Sequence, residues 1–348
     1  MNRVLMIGTA ENSGGGISSV IRLMKKMPVW EKYACNWLGT QIQANVFLKL
    51  WYAVKAALSC PFIIPKYDII HFHIVPGITL FIQLPELLIA KLFSKRIIAE
   101  VHIGNQLLTY SDNKMFKWWL NKSDLVILLA KKWLDVYEEK YKDVTTRAKV
   151  LYNACDLQEV VPFEEKQPLI IFAGTIDDNK APDILIKAWA KLKSRYPQWR
   201  VSILGNGNIS YYEKMAADLG VSDCIEFTGF VTGNAKESLF RRASIYCMCS
   251  YVEGFPMVVL EAWAHNISVI TTPVGGLPDV IDEGENCVTF AFGDVEELAS
   301  NLDRLISDER LRRQIAIGGY NSVMEHFSLL KISDDLDRIY SNLLYEGK

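Results

Sequence analysis

The sequence contains no C-x-x-C pair, and its seven cysteines (35, 60, 155, 224, 247, 249, 287) are odd in number and scattered. A zinc ribbon and a disulfide framework are thereby excluded, and the thiols read as buried, reduced, small hydrophobes of a cytoplasmic protein. Nothing resembling a charged segment followed by an apolar one opens the chain. Met1 to Ala10 runs straight into the strand pattern Val4-Leu5-Met6-Ile7-Gly8, so neither a signal peptide nor secretion is expected. No uninterrupted apolar run reaches the ~18–20 residues that a membrane-spanning helix needs. The nearest, Val46 to Ile64, carries Lys49, Lys55 and Pro61. It reads as an amphipathic helix, either a core helix with a solvated lysine edge or one that touches a membrane surface. Basic residues are present without a nucleic-acid recognition module, so no nucleic-acid partner is expected.

What is present points to a large α/β protein. At 348 residues with half the composition apolar, the chain can bury enough surface for about two domains. The formal charge of −2 hides an asymmetry: residues 1–150 hold 20 Lys/Arg against 11 Asp/Glu, and residues 151–348 hold 18 against 29. A basic first half suits anionic lipid head groups or a phosphorylated acceptor.

Short apolar runs alternate with segments of helical period from end to end, the pattern of a parallel-sheet α/β fold. The runs predict strands at Arg3–Gly8, Asn36–Leu38, Ile69–His73, Arg96–Val101, Leu125–Leu129 and Ala148–Leu151. In the second half they predict Leu169–Ala173, Arg200–Leu204, Ile225–Thr228, Ile245–Met248, Val269–Thr272 and Val288–Phe290. Helices are expected at Gly16–Met27, Met115–Asn121, Ile184–Tyr196, Tyr211–Leu219, Met257–Ala264 and Val295–Leu305. Asn153–Pro168 breaks the periodicity where the charge changes sign and reads as a linker.

Several strand ends carry groups capable of chemistry. Gly14, Gly15 and Gly16 open the first helix, where backbone N–H groups and the helix start can meet an anion. Their spacing matches neither G-x-G-x-x-G nor a Walker loop, so they are no evidence for a dinucleotide or ATP. His71, His73 and His102 fall at strand ends; of these His102 is the functional candidate, and a metal site from His71 and His73 lacks a third ligand nearby in sequence. Glu253 and Glu261 flank Gly254-Phe255-Pro256, one carboxylate in a loop and one in the helix that follows. Such a pair can accept hydrogen bonds from sugar hydroxyls at two places on an elongated ligand.

This segment resembles the hallmark E-x7-E of the retaining glycosyltransferases of family four. The resemblance extends through Phe172-Ala173-Gly174 with Lys180, Leu204-Gly205-Asn206-Gly207, Phe227-Thr228-Gly229-Phe230, Thr272-Pro273-Val274-Gly275-Gly276 and Phe292-Gly293-Asp294. It covers the second half nearly throughout. In the first half it is looser, resting on the Gly14–Gly16 turn, Asp68–His73, His102 and Asn153 with Asp156.

The resemblance implies a GT-B fold of two Rossmann-like parallel-sheet domains facing a central cleft. An acceptor-binding domain would span 1–158, a donor domain 159–326, and a final helix 327–348 would cross back to the first. It implies a metal-independent retaining transferase, with no cofactor beyond a UDP- or GDP-linked sugar as co-substrate. A glycan or glycolipid would be the acceptor, at the inner face of the membrane. Glu253 would contact the donor sugar near the reacting carbon, His102 would lie beside that sugar, and Glu261 would hold the ribose. Lys180, Gly15, Gly16, Gly174, Gly205, Gly275 and Gly276 would surround the diphosphate, with Gly254, Phe255 and Pro256 shaping the loop. The chain departs from the family at Thr175, where arginine is common, at Ala181 and Asn266, where glycine is usual, at Ser268 in place of proline, and at Asp279 in place of glutamate. A catalytically silent scaffold of the same fold, and a sugar epimerase, remain the alternatives. The aromatic-basic run Lys114–Lys122 offers a second contact for a lipid-linked acceptor, or plain packing.

Overall fold

A computed structural model describes residues 2–13, 16–42 and 44–345. The chain forms two compact units, the first of Met1–Ala154 with Phe327–Lys348 and the second of Cys155–His326. The division falls early in the 153–168 stretch, because Leu151 and Ala154 still pack in the first unit's core.

The first unit holds a six-stranded sheet of β1 (Val4–Thr9), β2 (Asn36–Gln41), β3 (Ile69–Ile74), β4 (Arg96–Val101), β5 (Leu125–Leu128) and β6 (Ala148–Val150). Its order is β2-β1-β3-β4-β5-β6, every pair parallel. The second holds β7 (Leu169–Ala173), β8 (Arg200–Leu204), β9 (Ile225–Gly229), β10 (Ile245–Met248), β11 (Ser268–Thr271) and β12 (Val288–Thr289). These run β12-β11-β10-β7-β8-β9, again all parallel. Parallel strands are covered on both faces, which is why their sequences are apolar without alternation; β3 and β7 are buried at every residue.

The progression of strand order in the second sheet reverses between β7 and β10. The chain leaves β7 toward β8 and β9 and returns on the other side at β10. At such a switch point the two carboxyl-end loops diverge and leave a crevice, the usual ligand site of an open α/β sheet.

Local chemistry moves several expected helix limits. The helix expected to reach Met27 stops at Met24, and Pro28, with its fixed φ and missing donor, opens a separate helix Pro28–Lys32. Asn113 caps Lys114–Asn121 by accepting the Phe116 N–H at 2.8 Å. That helix buries Phe116, Trp119 and Leu120, while Lys114, Trp118 and Lys122 stay exposed, so one face of the aromatic-basic run is core packing. The opposite correction applies to Val46–Ile63, which buries only Ala56 and Cys60; the core-helix reading fails there. Pro61 lies inside this helix, and the Ala57 carbonyl it cannot bond accepts from Cys60 Sγ at 3.1 Å instead. All seven cysteines are free and buried.

The closing helix Leu329–Tyr345 belongs to the first unit. Ile332, Leu336, Ile339, Tyr340 and Leu343 enter that unit's core, each such apolar burial stabilising by roughly 1.5–3 kcal/mol. Polar contacts fix its register. Ser333 Oγ accepts from Val29 N at 3.0 Å, Asp337 accepts from Lys32 at 2.7 Å and from the Tyr33 hydroxyl at 2.8 Å, and Tyr340 meets His71 Nδ1 at 2.8 Å.

One buried group works against the first unit. Glu86, in the helix Leu84–Leu92 that packs on Val46–Ile63, is fully buried. Neither carboxyl oxygen meets a hydrogen-bonding partner among the described residues. Burial pushes its pKa up to about 7, since an ion there loses its hydration. An acid whose folded pKa is raised costs nothing below its unfolded pKa. Its penalty grows as pH climbs through the window between the two values and is complete above the folded one. Glu86→Gln is therefore expected to stabilise the protein at pH 8 but not at pH 4.5, by about 3 kcal/mol at most. Urea melts of both proteins at the two pH values check this; an unchanged pH dependence would contradict it.

Candidate active site

In the second unit, the loops after β7, β8, β10 and β11 are tied together by main-chain contacts. The loop after β7 lies against that after β8: Gly174 N donates to Leu204 O at 3.0 Å, Ile176 N to Asn206 O at 2.8 Å, and Asn208 N to Ile176 O at 2.9 Å. Gly205 is required here, because a Cβ on it would sit 1.7 Å from the Gly174 carbonyl oxygen. Asn179 then bridges to the loop after β10. Its carbonyl accepts from Tyr251 N at 2.7 Å, and its side-chain amide both donates to Val252 O and accepts from Val252 N at 3.2 Å. Gly276 N donates to Gly254 O at 2.8 Å, and Gly275, at φ +66°, would place a Cβ 2.7 Å from the carbonyl oxygens of both Glu253 and Gly254.

Within this frame Lys180 Nζ forms an ion pair with Glu253 Oε1, and both side chains are largely sheltered at 19% and 13% exposure. The Lys180 stem also packs where a Gly174 side chain would point. Phe255 and Pro256 are buried, and the helix Met257–Ala264 starts directly after them. Glu261, on that helix, accepts from Lys236 Nζ at 2.6 Å. Tyr246 of β10 lies fully buried within the field of both Glu253 and Glu261; burial first, then these carboxylates, raises its phenol well above the ordinary value.

The structure thus gathers Gly174, Lys180, Gly205, Glu253, Gly254, Gly275 and Gly276 at the β7/β10 switch point, with Glu261 on the adjoining helix. Lys236 was missed by sequence reasoning. It sits on Gly233–Arg242, a polar helix between two strands, and nothing in its spacing pairs it with Glu261. Thr175 is exposed and supplies no charge. Two of the departures have a backbone meaning: Ala181 has φ +47° and Asn266 φ +54°, the left-handed region where glycine is easiest and asparagine tolerable.

In the first unit, His102 follows β4, its N–H bonded to Ile74 O at 2.9 Å. Its ring stacks on His73, which stacks on His71, with centroids 5.0 and 4.8 Å apart. Buried Glu100 lies beneath the stack: its Oε1 is 3.0 Å from His102 Nε2 and its Oε2 is 3.0 Å from His71 Nε2. His102 Nε2 also meets His73 Nδ1 at 2.8 Å. Burial opposes the charge on Glu100, but the surrounding imidazoles prevail and hold its pKa well below the ordinary value. Burial pushes His73 well below its own. Glu100 also completes a set of three potential metal ligands with His71 and His73, all ligand atoms within 4.8 Å. Within it His71 Nε2, His73 Nε2 and Glu100 Oε2 are buried without an aligned hydrogen-bond partner among the described residues, so charge contact and ring stacking hold the cluster, and His71 Nδ1 links it to Tyr340 of the closing helix. His102 is its least buried member. Gly16 begins the helix Gly16–Met24, and a Cβ added to it would meet nothing within 4 Å, whereas Gly14 and Gly15 lie outside the described residues.

Residues 156–322, nearly the whole second unit, match the family described as Glycosyl transferases group 1. D-inositol 3-phosphate glycosyltransferase of Corynebacterium jeikeium is 31% identical over 192 residues, 53% of this chain and 45% of that protein. The GalNAc-alpha-(1->4)-GalNAc-alpha-(1->3)-diNAcBac-PP-undecaprenol alpha-1,4-N-acetyl-D-galactosaminyltransferase of Campylobacter jejuni is 30% identical over 186 residues, 52% of this chain and 50% of that protein. The match therefore spans about half the length of these curated relatives. Among solved structures, Anabaena HepE in complex with UDP superposes with a TM-score of 0.77 at 16% identity, covering 98% of this chain and 100% of that one. The fold is GT-B.

The glycine contacts make a direct test. Gly205→Ala forces backbone against backbone and is expected to cost about 2–4 kcal/mol. Gly220→Ala, at φ +69° with open space around it, should cost only about 1 kcal/mol from the left-handed backbone. Chemical denaturation of the two variants compares them; equal losses would mean the loops are not held by this approach.

Proposed function

We propose that this chain is a group 1 glycosyltransferase that moves a sugar from a UDP- or GDP-linked donor to a growing glycan or lipid-linked acceptor, with retention at the anomeric carbon. The observation that carries the reading is the sheltered Lys180–Glu253 pair at the β7/β10 switch point. There a cation for a diphosphate and a carboxylate for sugar hydroxyls stand side by side. The UDP in the Anabaena structure and the undecaprenol-diphosphate in the Campylobacter relative's name favour a sugar nucleotide and a lipid-linked acceptor.

In this reading the second unit is the donor domain and the first the acceptor domain. Glu253 holds the donor sugar, Glu261 the ribose, and Lys180 with backbone N–H groups of the glycine turns takes up the charge that grows as the diphosphate leaves. Lys236, beside Glu261, supplies a second cation where Thr175 does not, which favours an enzyme over a silent scaffold. The acceptor hydroxyl attacks the face the leaving group departs. Its oxygen bonds to the anomeric carbon as the carbon–phosphate oxygen bond breaks, and its proton passes to the departing phosphate. Charge neutralisation by lysine and main chain assigns no role to a metal. His102 serves the donor sugar, and the reaction belongs at the cytoplasmic face of a membrane.

A ligand that binds only the folded state stabilises it by about 2.7 kcal/mol at a hundredfold excess over Kd. Melting in the presence of nucleotides and nucleotide sugars is expected to single out one nucleoside diphosphate and its sugar, with the shift lost in Glu261→Ala and Lys180→Ala. His102→Ala should keep the shift while lowering turnover at least about tenfold. If no nucleotide stabilises the protein at millimolar concentration, the scaffold reading replaces this one. NMR of the product settles the anomer.

A further inference from the structure

We propose that the helix Val46–Ile63 is a docking surface for an anionic lipid bilayer, lying in the plane of the interface. Both of its faces are apolar. The inner face buries Ala56 and Cys60. The outer face carries Phe47, Leu50, Trp51, Val54, Leu58 and Phe62 at helical spacing, a single stripe whose Phe47, Leu58 and Phe62 are 86%, 71% and 75% exposed. Leu88 and Leu92 are exposed on the packed neighbour Leu84–Leu92. A contiguous apolar stripe of this size on a folded surface marks an interaction site.

Charge selects the occupant. From Lys32 to Tyr67 the sequence has no Asp or Glu, while it has lysines at 32, 49, 55 and 66. An apolar stripe bearing a tryptophan, edged by Lys55 and with no Asp or Glu on its own helix, matches the acyl boundary and head groups of an anionic leaflet. A second copy of the chain is a poorer match, because a two-fold contact would pair this segment with itself and offer its lysines no acidic partner. Val46–Lys66 is long and apolar enough to cross a membrane by length and composition. However, the strands it joins, β2 and β3, flank β1 in one sheet. As the crossover between parallel strands, the helix runs back along that sheet with both ends tied to it, and so lies on the bilayer.

The inference goes beyond the donor-site reading and can fail without it. Full-length protein is mixed with vesicles of phosphatidylcholine alone and with vesicles containing phosphatidylglycerol, then sedimented. Binding to the anionic vesicles is expected, weakening with salt. The triple variant Phe47→Ser, Trp51→Ser, Phe62→Ser should need at least about tenfold more lipid for half binding, and Lys49→Gln with Lys55→Gln should lose the preference for phosphatidylglycerol. Each variant's melting temperature and its stabilisation by nucleotide report that the fold and donor site are intact. No binding to either vesicle, binding unaffected by the triple change, or a dimer in sedimentation equilibrium that the same change abolishes would each overturn the proposal.

Discussion

At the carboxyl edge of the second sheet, main chain approaches main chain so closely that side chains are excluded. The Cβ position of Gly205 falls 1.7 Å from Gly174 O, and that of Gly275 falls 2.7 Å from two carbonyls of the loop after β10. These approaches, with the Asn179 bridge, convert divergent loops into one surface. Loops at a switch point would otherwise be free to separate, and preorganised donors are effective only when they need no rearrangement as charge develops. The rest of the proposed site depends on this constraint: the Lys180–Glu253 pair has its sheltered place because the loops cannot drift apart.

The first unit is organised around polar burial of a different kind. Glu100 can be ionised in the core only because imidazoles face it from β3 and from the turn after β4. The same cluster reaches Tyr340, so the closing helix is attached where the sheet carries its charge. A buried carboxylate faced by imidazoles and one without such partners, Glu86, sit in the same unit and show what a facing partner contributes to tolerating a buried charge.

Much of this was legible in the sequence, for identifiable reasons. Parallel strands write themselves as apolar runs, and each of the twelve expected runs is a strand to within a few residues. The glycines near 174, 205 and 275 were visible as turns, though the reason for them, contact between loops far apart in sequence, was not. Lys236 escaped because its partner Glu261 is reached through the fold, not through spacing, and Glu100 because no local pattern sets a carboxylate against histidines of another strand. The sequence left Val46–Ile63 open between a core helix and a surface one because it is apolar on both faces, which conceals the side that is exposed. Helix boundaries near Pro28 followed proline chemistry that a longer periodic run obscured.

The central claim is that the β7/β10 edge of the second unit is built to hold a nucleoside diphosphate. A crystal structure of the complex with the nucleoside diphosphate that stabilises the protein tests it most directly. The account predicts phosphate oxygens at the Gly275–Gly276 turn and on Lys180, with the Lys180–Glu253 pair opened to admit them and the ribose on Glu261. A diphosphate bound elsewhere, with that pair intact, would contradict it.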